Sequence, residues 1–214
     1  MLSGRMATQG LIEHEGALRC WWCGTAPDYQ RYHDHEWGRP VVDDHRLFEK
    51  LALEGFQSGL SWLTILRKRE HFRRAFADFD FEVIAAWPDG EIERLVGDPG
   101  IVRHRGKIAA TLANAKQAVA LREQFGSLAA YFWRFEPGPR DRPKRVTKRA
   151  LMGLTKTPAS IALAKDLKAR GFGFCGPTTA YAFMQAMGLV DDHLEGCATR
   201  ASVEQARAAL VRPT

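Results

Sequence analysis

The chain has 214 residues, 45% of them hydrophobic and 26% charged, and a formal net charge of +6. This is enough chain to bury a substantial core, and the balance is that of a globular protein, not of a disordered or fibrous one. No stretch approaches the roughly 18 apolar residues of a membrane helix, and the opening "MLSGRMATQGLIEHEGALRC" has no apolar run of signal-peptide length.

The expected setting is therefore a reducing, bacterial-type cytoplasm. There the four cysteines, Cys20, Cys23, Cys175 and Cys197, serve as metal ligands or buried thiols and not as disulfides. The basic balance points to a polyanion, with DNA or RNA as the default partner.

Residues 1–18 read as a mobile tail. The segment from Cys20 to Pro40, "CWWCGTAPDYQRYHDHEWGRP", reads as aromatic and irregular. Helical periodicity then takes over. In "DDHRLFEKLALEG", Asp43 or Asp44 is placed to cap a helix with Leu47, Phe48, Leu51 and Ala52 on one face and Gly55 as its stop. "LSWLTILRKREHFRRAFADF" continues with helical spacing, and "DFEVIAAW" and "GEIERLVGD" are short helices. "IVRHRGKIAATLANAKQAVALREQF" is a longer helix beginning near Ile101, and "SLAAYFWRF" another. "EPGPRDRPKRVT" is a basic, Pro-rich loop. Thr157 before Pro158 starts the helix that ends at Gly171, and "GPTTAYAFMQAMGLV" is the last strong one. Ser202 and Gln205 have capping-box spacing at the head of a short terminal helix. Period-two alternation is nearly absent, so the expected fold class is all-α.

Three constellations carry chemistry. In "DDHLEGC", His193 and Cys197 stand one helical turn apart, and upstream lie Cys20, Cys23, His33 and His35. A structural zinc needs four N or S ligands, so two from each end would tie the N-terminal segment to the C-terminal one. Spacing leaves open which Cys and His form the first pair. The second is "GDPGIVRHRGKI", a helix-hairpin-helix pattern. The backbone around Gly100 and Ile101, with Arg103, His104, Arg105 and Lys107 beside it, suits a DNA phosphate. The third is aromatic and acidic: Trp21, Trp22, Tyr29, Tyr32, Trp37, Trp62 and Glu54. Such a set can be plain core, but it can also stack on a flipped base, and best on a cationic one.

From about Arg19 to Cys197 these segments resemble the 3-methyladenine DNA glycosylase I family of helix-hairpin-helix glycosylases. "YHDHEWG", "LEGFQSGLSW", "GIVRHRGKI" and "VDDHLEGC" carry the resemblance. It implies a glycosylase domain over residues 19–197, with 198–214 as a C-terminal extension. It also implies one structural zinc on Cys20, His33, His193 and Cys197. A base pocket is implied at Trp22, Tyr29, Tyr32 and Trp62, with Glu54 accepting from the methylated adenine. The implied activity is monofunctional hydrolysis of the N-glycosidic bond of 3-methyladenine, by base flipping from alkylated double-stranded DNA. The enzyme is expected to act as a monomer at the nucleoid. Phe56 stands where some members carry a polar residue. Three alternatives remain: a zinc-containing hairpin module that binds DNA without chemistry, a metal hydrolase built on "HDHE", and a glycosylase-lyase with an iron–sulfur cluster. The last needs a compact run of cysteines, and here they are dispersed.

Overall fold

The structure, a computed structural model, describes residues 9–214. Of the expected tail, residues 1–8 lie outside the described residues and the rest is ordered. Leu11–His14 (β1) and Ala17–Cys20 (β2) pair antiparallel, with Leu11 opposite Cys20 and His14 opposite Ala17. Glu15 and Gly16 both take positive φ, the twist that a two-residue hairpin turn requires. Strands of four residues are too short to give a readable alternation, so an otherwise helical chain carries a sheet the sequence did not announce.

The aromatic segment is likewise more regular than expected. Pro27–His35 forms α1, with Pro27 in the first turn and no side-chain cap. Helix α2, Asp44–Gln57, starts at Asp43, whose carboxylate accepts the Arg46 N–H. It runs through Gly55, the expected stop. The missing side chain there leaves room for Phe174, whose Cβ would lie 3.4 Å from an added methyl. Then follow α3 (Trp62–Ala75, capped by Ser61), α4 (Phe81–Ala85, capped by Asp80) and α5 (Glu91–Gly97). Helix α6, Arg105–Phe125, begins later than Ile101 because the His104 imidazole caps it, accepting the Lys107 N–H. Ile101 is buried ahead of that helix.

Leu128–Trp133 (α7) is capped by Ser127, and Lys148–Met152 (α8) by Thr147. Pro158–Ala169 (α9) has a reciprocal capping box between Thr157 and Ser160. Pro177–Ala186 (α10) and Arg200–Ala209 (α11) complete the chain. The expected box at Ser202 does not form: α11 starts at Arg200, and the Ser202 hydroxyl donates back to the Thr199 carbonyl.

Helix α2 lies at the centre, packed against α3, α6, α7 and α10. Every residue from Leu47 to Phe56 is buried, so this stretch of the helix has no solvent face; only its first turn, at His45 and Arg46, is exposed. A smaller apolar cluster of Cys20, Val146, Leu194 and Cys197 lies under the hairpin. Two backbone bonds hold it there, Ala198 N–H to the Leu18 carbonyl and Glu195 N–H to the Val146 carbonyl. No helix among the described residues is long and apolar enough to cross a membrane.

After α10 the chain turns at Gly188, which has φ of 78°. An added Cβ would sit 2.5 Å from the backbone of Arg39 and Pro40, so the loop after α1 presses directly on this turn. Gly188→Ala is expected to lower stability by about 1–3 kcal/mol, seen as a lower urea midpoint with an unchanged slope.

Candidate active site

Two adjoining features make the site: a buried Cys/His cluster and an aromatic cavity built on it. Cys20, His33 and Cys197 present ligand atoms within 4.8 Å of one another, and all three are buried. Cys20 ends β2, His33 lies in the last turn of α1, and Cys197 follows the loop after α10. Cys23, His35 and Cys175 stand outside this group. Cys23 donates to the Cys20 carbonyl at 3.1 Å. His35 is exposed. Cys175 is remote, donating to the Gly173 carbonyl.

His193, the fourth expected ligand, is not among the three: it is fully buried with its ring centroid 4.8 Å from that of His33, and its Nε2 faces the His33 carbonyl at 3.4 Å. Each imidazole is oriented by a carboxylate that the sequence reading did not single out for this role. Asp34 lies 2.7 Å from His33 Nδ1 and Asp191 lies 2.8 Å from His193 Nδ1. Each Nε2 is thus left free of that carboxylate, an arrangement typical of metal-ligating histidines. Arg19 grips Asp34 in turn; burial would raise that carboxyl, but Arg19 and His33 together hold it below its ordinary value. The two thiols differ. The hydrogen bond with Cys20, helped by His33, pulls Cys197 down against burial, while the same bond and burial push Cys20 up. Two sulfurs and an imidazole, with one sulfur disposed to ionise, form a donor set able to hold a soft or borderline metal ion.

"DDHLEGC" has a second function in the fold. Asp192 has no exposure, and its carboxylate accepts from Tyr181, Gln185 and Arg142.

The cavity has a volume of about 300 Å³, at the lower end of the range for small-molecule sites. Trp22, Tyr29, Tyr32 and Trp62 line it as expected, and Glu54 contributes the carboxylate. Trp22 comes from the three-residue turn Trp21–Cys23, Tyr29 and Tyr32 from α1, Glu54 from α2 and Trp62 from the first residue of α3. Ring centroids lie 5.3 Å apart for Trp22 and Tyr29 and 5.4 Å for Tyr32 and Trp62. Trp37, Gln57 and Gln185 also reach the cavity. Gln57 lies within "LEGFQSGLSW", but neither glutamine was assigned to the pocket, because helical spacing marks them only as polar positions. Trp22 packs on His33 at 5.2 Å and Trp37 on His193 at 4.7 Å, so the cavity wall stands on the Cys/His cluster. The Trp62 indole N–H is buried with no partner among the described residues. Phe56 is not in the cavity wall: it is fully buried against Phe72, 4.7 Å between ring centroids.

Lys50 is the residue the sequence reading missed. One turn before Glu54 on α2, its Nζ lies 2.8 Å from Glu54 Oε1, donates to the Tyr32 hydroxyl at 2.8 Å and sits 3.1 Å from the centre of a Trp62 ring. Burial lowers its pKa to about 8, against the opposing pull of Glu54.

Of the residues expected to meet a DNA phosphate, Arg103 is exposed. Arg105 pairs with Glu93, but both are more than half exposed, so the pair contributes little. The expected phosphate contact at Lys107 is corrected: the residue is buried, and its Nζ donates to the carbonyls of Phe56 and Ser58. The Gly100 N–H is bonded to the Asp98 carboxylate. In "HDHE", both oxygens of Glu36 accept from Arg69, and His35 is exposed and outside the Cys/His group, so the hydrolase grouping does not assemble.

An aromatic cavity with a carboxylate in its wall, mounted on a helical frame, is the build of a base-binding protein. The chain belongs to the methyladenine glycosylase family, whose profile matches residues 22–201. It is 46% identical over 181 residues to DNA-3-methyladenine glycosylase 1 of Escherichia coli (strain K12), covering 84% of this chain and 95% of that one. It is 46% identical over 187 residues to DNA-3-methyladenine glycosylase of Haemophilus influenzae, covering 86% and 98%. A crystal structure of a 3-methyladenine DNA glycosylase I variant in complex with 3-methyladenine superposes with a TM-score of 0.78 at 37% identity, covering 84% and 95%.

Removing one partner of Asp192 strands a buried charge. Arg142→Met should cost on the order of 3 kcal/mol, measurable as a lower urea midpoint.

Proposed function

We propose that the protein is a base-excision DNA glycosylase that releases 3-methyladenine from alkylated DNA by hydrolysing its N-glycosidic bond. The observation that carries this reading is the Glu54 carboxylate in a cavity walled by Trp22, Tyr29, Tyr32 and Trp62. Family membership and the methyladenine-bound relative support it.

The chemistry follows from the substrate. Methylation at N3 makes the purine cationic and already a good leaving group, so strong acid catalysis is less necessary. The protein must extrude the nucleotide, hold the cation among ring faces and let water reach the sugar carbon. Glu54 accepts hydrogen bonds from the base and offers negative charge to it. Normal adenine, neutral and more firmly bonded to its sugar, gains less from both. Lys50 is bound by Glu54 and Tyr32, so no Schiff-base chemistry is assigned to it.

Double-stranded DNA is engaged through the α5–α6 junction, with Arg103 and Arg105 at its surface and the Gly100–Ile101 backbone shaping the turn. The glycosylase unit spans residues 19–197, acts as a monomer at the cytoplasmic nucleoid, and carries residues 198–214 as an extension.

A single zinc ion would be held by Cys20, His33, Cys197 and His193, a closed set that leaves no position for a catalytic water. Its role is structural. The fit rests on the buried sulfurs and on the two carboxylates that orient the imidazoles.

Two measurements test these assignments. Base release from alkylated duplex DNA, followed by chromatography, is expected to yield 3-methyladenine from the wild type. Glu54→Gln should keep fold and DNA affinity but lose at least about a hundredfold in rate, the scale of one electrostatic stabiliser. A fully active variant would remove Glu54 from the mechanism. Elemental analysis should find one zinc per chain, and Cys197→Ala should lose the ion and several degrees of melting temperature while its folded fraction keeps base binding. Metal-free protein with unchanged melting would overturn the zinc assignment.

A further inference from the structure

Tyr32 and Trp62 line the base cavity on one side and a second cavity of about 490 Å³ on the other. Glu54 borders the first and Lys50 the second, and the two join through this partition. The pair is almost wholly buried, with 6% and 5% side-chain exposure. No other hydrogen-bond donor contacts the Glu54 carboxylate among the described residues. One carboxylate thus already has one cation, and that cation also holds an aromatic face of the wall.

We propose that Lys50 is a specificity-determining residue of the base pocket: its ammonium is the resident counter-ion of Glu54, and a cationic base takes over Glu54 only as Lys50 gives up its proton. Two cations beside a single buried carboxylate would leave an uncompensated charge in a low-dielectric site, which is strongly disfavoured. A neutral purine brings no charge to exchange, so Lys50 remains protonated and Glu54 remains occupied. Selectivity for a methylated, cationic base is then an exchange of one cation for another.

The groups around Lys50 make it the one to change charge. From its own helix it faces Glu54; from α1 and the residue after it, Tyr32 and Glu36; from α3, Trp62 and Arg69. Glu36 and Arg69 hold each other, so Glu36 stays below its ordinary range, where the pair outweighs burial, and Arg69 stays charged. Burial pushes the Tyr32 hydroxyl well above its ordinary value, so it remains neutral. Lys50, lowered to about 8, is charged below that pH and neutral above it.

The inference rests on the reading that this cavity takes the methylated base, and the test separates the two. The probes are 3,9-dimethyladeninium, which stays cationic over the working range, and adenine, which stays neutral. Binding is followed by tryptophan fluorescence from about pH 6.5 to about 9. For wild type, affinity for the cation should rise on the order of tenfold as Lys50 deprotonates, while adenine changes by less than about twofold. Lys50→Met should bind the cation about tenfold more tightly than wild type at neutral pH, with a flat profile. If Lys50→Met does not fold, Lys50→Gln carries the same expectation. A flat wild-type profile, an equal slope in the variant, or weaker cation binding in the variant overturns the role of Lys50. Absence of 3-methyladenine release by wild type from alkylated DNA overturns the glycosylase reading itself, whatever the binding ratios show.

Discussion

A charge buried in a protein must find a partner or be lost, and α2 places three of them in one buried run: Glu49, Lys50 and Glu54. The surrounding elements are arranged to meet that demand. Arg73 reaches from α3 to Glu49 with two bonds, and Tyr32 reaches from α1 to Lys50. Lys107 comes from α6 to the carbonyls at the end of α2, and Asp44 at the start of α2 accepts the Ala129 N–H of α7. Each such bond is worth little net, but each leaves a large penalty if broken. The cost of breaking them fixes the relative positions of these helices more sharply than apolar packing alone, and the cavity is the space they leave.

Much of the helical frame was legible, because capping residues and apolar spacing are local. Asp43 and Thr157 cap helices as their sequence context implies. What was not legible depended on contacts distant in sequence. Gly55 reads as a stop, yet the helix runs on to Gln57 and its bare Cα lies against Phe174. Lys107 reads as a phosphate contact in a basic run, yet it turns inward to carbonyls about fifty positions away. Helix α1 has no side-chain cap, and the hairpin strands are too short for a pattern. The pocket aromatics and Glu54 were legible through resemblance, since composition marks them only as candidate core. Lys50 was invisible to both, because a lysine in a helical run reads as solvated unless the opposite wall is known.

The cluster and the cavity are one mechanical unit. Trp22 and Trp37 rest on His33 and His193, and those imidazoles are set by Asp34 and Asp191. Gly38, with positive φ, lies so close to His193 that an added Cβ would be 2.9 Å from its ring, so the chain between α1 and α2 closes over the same group. A disturbance at the cysteines therefore reaches the stacking walls through two ring contacts.

That geometry bears on how the protein is made. His33 and Cys197 touch across 164 positions of chain, and the ribosome adds about 5–20 residues per second. The first half of the fastening leaves the ribosome on the order of ten seconds before the second half exists. During that interval His33 lacks the Cys197 sulfur, and Trp37 lacks the His193 ring it packs on. The wall of the pocket is therefore complete only after His193 and Cys197 have emerged, long after the aromatic residues it is built from.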